Sequence, residues 1–250
     1  MWPELARAWV GMAAGATQLQ RMAGFTAVFS VLAAGAERMA PTSIADNDER
    51  QRFGARVTGL AHALSTIGLA FWILTDEEET KAMDADRMYG FSDRANLLFA
   101  HSCGFFLWDI YVCVARAKID WGFLVHGISC FLCYLFGQYP YLHYWGVRFL
   151  LYELSTPFLN AMLLLRQLGH KGLLHSCMQN MFGYSFLLVR IFYGFTISAL
   201  FTRDTLDLLR SGKAHSTFVV IYYLAANVAL NSLNSFWLYK MLMTRSKKST

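Results

Sequence analysis

The chain predicts an all-α, polytopic membrane protein with about seven transmembrane helices, and three observations carry that expectation. Hydrophobic residues make up 56% of its 250 positions and charged residues only 16%, where soluble domains carry about 25% charged. Acidic and basic side chains bunch into short clusters, and the apolar stretches between them approach the ~20 residues that a bilayer-crossing helix needs. No charged face recurs at helical period, which disfavours a soluble bundle.

Seven stretches follow in order, at about 16–36, 57–74, 95–115, 121–138, 142–165, 173–201 and 215–240. Arg21 interrupts the first. The Trp2–Val10 region before it reads either as an amphipathic segment lying on the membrane or as the start of an appended helix. Pro41 to Arg56 is polar and forms a loop, as does the stretch from Asp76 to Arg94 with its acidic run Asp76-Glu77-Glu78-Glu79. From Trp121 to Leu165 the chain stays apolar long enough for two passes, with Gly137-Gln138-Tyr139-Pro140 as the turn. Tyr139, Tyr141, Tyr144 and Trp145 cluster there as an interfacial aromatic belt. Gating of lateral lipid entry is the other reading of that cluster.

Sidedness follows from lysine and arginine. With seven spans and the N-terminus outside, twelve of these residues fall in cytosolic segments and seven on the opposite side. The positive-inside rule then puts the C-terminus in the cytosol. Lys247 and Lys248 lie three and four places from the end, matching a dilysine retrieval signal that coat proteins read on endoplasmic-reticulum membrane proteins. A basic juxtamembrane patch near anionic lipid is the alternative. No compact basic, apolar and small-residue order marks a cleaved signal at the N-terminus.

Several function classes are disfavoured. The net charge of +5 resides in loops that the membrane accounts for, and no basic run interleaves with aromatics outside the apolar segments, so nucleic acid is not an expected partner. Cys103, Cys113, Cys130, Cys133 and Cys177 fall in or beside apolar stretches, as helix-packing residues rather than a disulfide framework. The Cys130–Cys133 spacing lacks a second pair or clustered histidines, so no metal site is expected.

The chemistry-bearing run is Glu153-Leu154-Ser155-Thr156-Pro157-Phe158-Leu159-Asn160. A carboxylate at mid-bilayer costs roughly 2.5–3.5 kcal/mol on insertion scales, so it normally faces a protein-lined cavity and a partner. Pro157 cannot donate a hydrogen bond to the carbonyl of Glu153, so the helix opens beside the carboxylate. Thr156 and Asn160 follow at spacings of three and seven, near the Glu153 face. Arg190 or Arg148 would neutralise the carboxylate, or Arg190 would hold a lipid phosphate. A polar cavity lining and a purely structural network around the proline kink both fit this pattern.

Further groups complete a family pattern: Arg56-Val57 with His62, the stretch from Ser102 to Asp109, Val125-His126, Leu188-Val189-Arg190, and Trp237-Leu238-Tyr239-Lys240. In order and spacing, Arg56 to Tyr239 resembles a TLC domain, the membrane fold shared by ceramide synthases and by proteins of less settled activity. The Glu153–Asn160 run is closest to the smaller TLC domain-containing proteins. The resemblance implies six helices in a barrel around a central cavity for an acyl chain, with a further helix before it. Three parts are then expected: 1–55 with the first helix and a cytosolic loop, 56–242 as the TLC domain, and 243–250 as a cytosolic tail.

In the synthases two adjacent histidines open the fourth span, and acyl transfer from coenzyme A to a sphingoid amine depends on them. Here the first is His126 and the second position holds Gly127. A neutral imidazole can attack a thioester, and an amine would resolve the acyl-imidazole. Glu153 or Asp109 would serve as the second group. Three functions are therefore open. One is handling of an acyl lipid in an intramembrane cavity lined by Asp109, Thr156, Pro157, Asn160 and Arg190. Another is acyltransfer with His126 and Glu153 as the catalytic pair, acyl-CoA as co-substrate and no resident cofactor. The last is a cargo receptor or chaperone cycling between endoplasmic reticulum and Golgi.

Overall fold

Apolar stretches bounded by charge become helices, and the computed structural model describes residues 2–115, 120–139 and 141–246 as ten α-helices joined by short turns, with no strand among them. They are α1 (Trp2–Met39), α2 (Asn47–Leu74), α3 (Glu77–Ala85), α4 (Asp93–Ala115), α5 (Trp121–Phe136), α6 (His143–Leu150), α7 (Thr156–Gln167), α8 (Leu173–Phe186), α9 (Gly194–Arg210) and α10 (Thr217–Ser246). A 3-10 turn, Leu151–Ser155, joins α6 to α7, and a π-helical segment, Leu187–Tyr193, joins α8 to α9.

Five helical stretches are long and apolar enough to cross a membrane: Thr17–Met39, Asn47–Leu74, Asp93–Ala115, Leu173–Arg210 and Thr217–Met243. Their outer faces carry large hydrophobic side chains such as Val31, Tyr111, Tyr184, Phe218 and Val228 in exposed positions. A soluble monomer rarely presents so much contiguous apolar surface, whereas lipid solvates it. This is a multi-pass membrane protein. The expected fourth span is α5, with 16 residues, about 24 Å at ~1.5 Å per residue. The expected fifth is divided into α6, the 3-10 turn and α7. Trp2–Val10 runs without a break into the first apolar helix, as an appended helix start.

Two compact units divide the chain, Met1–Met39 with Ser65–Leu150, and Ala40–Leu64 with Leu151–Thr250. In the first, α1 packs on α4 because Gly104 has no side chain: a Cβ there would come 2.5 Å from Phe25 Cβ. That approach lets Thr26 Oγ1 donate to the Gly104 carbonyl at 3.1 Å, the small-residue packing typical of membrane helices. Phe99 fills the centre of this unit, stacked edge-on to Tyr134 and His143, with Gly137 and Gly146 vacating space for its ring. His143 is fully buried; Nδ1 accepts from the Ser92 backbone N–H at 3.1 Å and Nε2 lies 3.1 Å from the Gly137 carbonyl. The aromatic cluster at this turn departs from a simple belt. Tyr141 and Trp145 are core residues and only Tyr139 is exposed, because the turn folds back so that Leu142 N–H reaches the Met88 carbonyl at 2.8 Å.

Helix α3 lies outside the apolar stretches and is braced by charge. Asp76 caps it, accepting from the backbone N–H groups of Glu78 and Glu79, and Arg94 pairs with Asp76 and with Glu79 at 3.4 Å. The Arg94 guanidinium also lies 4.1 Å over the Trp72 ring. That arginine hydrogen bond, with the capping N–H groups, holds the Asp76 carboxyl below its ordinary value.

In the second unit, the first half of α2 is fastened to the end of α7. Arg56 donates to the Gln167 side chain, whose Nε2 donates in turn to the Glu49 carboxylate at 2.9 Å. Gly59 lets α2 approach Asn160 closely, since a Cβ there would meet Asn160 Nδ2 at 3.1 Å. Gly169 and Gly212 end α7 and α9 with φ of 80° and 67°, the left-handed conformation that glycine adopts without steric cost. Cys103, Cys113 and Cys130 are buried, Cys133 is half-buried and Cys177 is exposed.

Candidate functional site

The second unit holds an unusually polar interior. Pro157 occupies the first turn of α7, where its missing N–H costs nothing, and the residues before it tighten into the 3-10 turn. That turn directs Glu153 and Ser155 inward, 9% and 1% exposed. On the Leu173–Arg210 stretch, the π-helical segment carries Arg190 near the midpoint, 8% exposed. π-Helical insertions widen a helix by one residue per turn and recur at functional sites.

The guanidinium joins the pieces. Arg190 Nε donates to Ser155 Oγ at 3.0 Å, Nη2 to Thr156 Oγ1 at 3.2 Å and Nη1 to Asn234 Oδ1 at 3.4 Å. Its Nη2 lies 3.8 Å from Glu153 Oε1, an ion pair longer than a hydrogen bond. Asn160 Nδ2 donates to the Thr156 carbonyl at 3.3 Å. One helical turn beyond Arg190, Tyr152 OH donates to the Gly194 carbonyl at 3.1 Å and meets Ser198 Oγ at 3.4 Å. Ser198 also receives Nδ2 donors from Asn227 at 3.1 Å and Asn231 at 2.9 Å. A buried arginine and carboxylate are tolerated in an apolar setting only when their remaining donors and acceptors are met, and this network engages three of the arginine's five N–H donors.

The other expected residues belong to the first unit. Asp109 is half-buried on α4 and His126 half-buried on α5. His126 Nε2 lies 3.7 Å from Cys130 Sγ, and its ring meets Phe106 edge-on at 5.9 Å. Gly127 is buried, and a Cβ there would meet Ile110 Cγ1 at 3.2 Å and Asp109 Oδ2 at 3.5 Å. Side chains of α4 therefore stand close to Gly127. Arg148, the alternative partner for Glu153, stands 3.4 Å over the Tyr144 ring and donates to the Tyr144 carbonyl. Lys247 and Lys248 lie outside the described residues.

Sequence reasoning named Ser155 only within the Glu153–Asn160 run and passed over Tyr152, Ser198 and the three asparagines. A signal for the last existed: Asn227, Asn231 and Asn234 recur at steps of four and three on an apolar helix, a polar stripe that lipid would not tolerate. Among the described residues, no group of three histidines, cysteines and carboxylates is arranged to hold a metal ion.

Apolar helices broken at a 3-10 turn and a π segment, with an arginine and a glutamate buried at the breaks, define a polytopic membrane protein with a polar interior. The chain belongs to the TLC domain family, whose model matches residues 52–243. It is 34% identical over 189 residues to an uncharacterized TLC domain-containing protein of Schizosaccharomyces pombe, covering 73% of this chain and 63% of that one. It is 29% identical over 160 residues to topoisomerase I damage affected protein 4 of Saccharomyces cerevisiae, covering 61% and 56%. A further uncharacterized TLC domain-containing protein of that yeast is 29% identical over 149 residues, covering 58% and 46%. The chain thus spans about half to two thirds of the length of these relatives, none of which carries the name of a ceramide synthase. No solved structure matches it.

Proposed function

We propose that this protein handles an acyl lipid within the membrane, binding, sensing or moving it at the polar centre built by Glu153, Arg190, Thr156 and Asn160. The observation that carries this reading is the Arg190–Glu153 pair, with Arg190 near the middle of a 38-residue apolar helical stretch and Glu153 on the 3-10 turn beside it. Burying charge in hydrocarbon is expensive, and a solid helix bundle can be held together by apolar packing alone. A lipid headgroup brought into the bundle gives that polarity a use. Membership in the TLC domain family supports the same direction.

The reading takes α5 and the broken α6–α7 stretch as two further passes, seven in all, with six arranged as a TLC-type barrel around the lipid. It includes residence in the endoplasmic reticulum with the C-terminal side cytosolic. Acyl transfer through His126 is the second reading. Packing at Gly127 tells against it, because a Cβ there already meets Ile110 Cγ1 at 3.2 Å and a whole imidazole would have to displace side chains of α4.

Native mass spectrometry of the protein extracted with its own lipids tests the proposal. Retained acyl lipid supports it, and a protein that keeps none under conditions that preserve the fold overturns it. Incubation with long-chain acyl-CoA separates the two lipid readings: an intact-mass adduct lost in His126→Ala identifies a transferase, and unmodified protein with bound lipid identifies a handler.

A further inference from the structure

The lipid's headgroup is constrained by which atoms of the polar centre are already engaged, an inference that rests on the lipid-handling reading above. Each of the three Arg190 nitrogens holds a protein oxygen, on Ser155, Thr156 and Asn234. Glu153 differs. Among the described residues its carboxylate accepts no hydrogen bond, and its one charged neighbour is Arg190 Nη2 at 3.8 Å. The residue is nine-tenths buried, with 11% of its side-chain surface still open.

A buried carboxylate presents about four lone-pair directions and is costly to leave without donors. A separation of 3.8 Å between its oxygen and a guanidinium nitrogen admits one bridging oxygen at hydrogen-bond distance from both. Such an oxygen must donate to Glu153 and accept from Arg190. A hydroxyl does both. A phosphate only accepts, and would set a second anion against Glu153. An ammonium only donates, and would leave the Arg190–Glu153 pair with an uncompensated positive charge in an apolar surround.

We infer that the polar centre of the second unit is a binding site for a neutral lipid whose headgroup is a hydroxyl, with Glu153 as the acceptor of its proton and Arg190 as the donor to its oxygen. The network around Ser198 adds no net charge: Tyr152, Asn227 and Asn231 all converge on one hydroxyl. The charge balance of the site is therefore set by the one ion pair, and a neutral headgroup leaves it at zero.

Competition on the intact protein in nanodiscs tests this. A photoreactive diacylglycerol is the labelled probe. Unlabelled diacylglycerol, phosphatidic acid and a long-chain amine, all with matched acyl or alkyl chains, are the competitors. Labelled peptides are mapped to 151–198, and diacylglycerol is expected to compete about tenfold better than either charged lipid, a factor corresponding to ~1.4 kcal/mol, near the lower end for a hydrogen bond to a charged group. Glu153→Gln should lower diacylglycerol labelling by a similar factor and raise labelling by a phosphatidic acid probe, because the variant removes the anion that opposes phosphate.

Equal competition by all three lipids overturns the headgroup inference and leaves lipid handling standing, as does preference for phosphatidic acid or the amine. No labelling of this segment by any lipid probe overturns the underlying reading instead. Should Glu153→Gln not fold, competition on the unaltered protein still decides.

Discussion

The two units use buried polarity in opposite ways. In the first, the fully buried His143 serves the backbone, joining the Ser92 N–H to the Gly137 carbonyl around an aromatic centre. Its charged residues Asp76, Glu79 and Arg94 are kept at the edge of the apolar helices. In the second, an arginine and a glutamate are buried together, and the helices carrying them are interrupted to bring them there. Polarity that only closes a turn can be neutral and local. Polarity that is charged, buried and placed at helix breaks calls for a functional reason.

The largest expected effect is at Arg190. Arg190→Met strands Glu153 without its cation, and breaking a buried pair costs about 3–5 kcal/mol. Unfolding in nanodiscs, followed by tryptophan fluorescence, should show that loss. Adding Glu153→Gln to Arg190→Met should recover part of it, because the two residues are coupled. Additive losses would mean that the pair is not a unit and would erase the contrast.

His143→Ala should cost about 2–3 kcal/mol through the cavity and the unpaired Ser92 N–H. The expected distinction lies elsewhere: lipid retention by native mass spectrometry stays as in the unaltered protein once folding is matched by temperature. A selective loss of lipid would place function in the first unit as well.

Gly127→His asks whether the missing second histidine can be restored. Overpacking against Ile110 should cost about 1–3 kcal/mol, with no acyl-enzyme formed from acyl-CoA. Gain of transfer activity would return the chain to the chemistry of the synthases.

The smallest effect is pH dependence at Asp76. Its folded carboxyl lies below the ordinary value of 3.8, chiefly through Arg94. The stabilisation is therefore complete above that value and is lost as pH falls through the lower folded one. Limited proteolysis in the 76–94 segment should accelerate only in strong acid, and Asp76→Asn should flatten the profile. Acceleration beginning near neutrality would assign the loop's order to other groups.

Much of this contrast was legible in the sequence. Charge clustering located the apolar helices, and the proline in the Glu153–Asn160 run marked where one of them breaks. Arg190 was readable as one of two candidate partners of Glu153, Arg148 being the other, because few cations lie inside the apolar stretches. The π segment was not readable, since apart from Arg190 nothing in Leu187–Tyr193 differs from an ordinary apolar helix. Nor was the burial of Tyr141 and Trp145, which depends on a turn that brings Leu142 to Met88 across more than fifty residues. Asn227, Asn231 and Asn234 were readable in principle, as polar positions sharing one helix face.

The central claim is that the Glu153–Arg190 pair receives a lipid headgroup inside the membrane. A density map of the protein in a lipid nanodisc tests it most directly. The account predicts non-protein density, continuous with an acyl chain, at hydrogen-bonding distance from the Glu153 carboxylate. Side chains packed against both faces of that carboxylate, with no room for a headgroup, would contradict it.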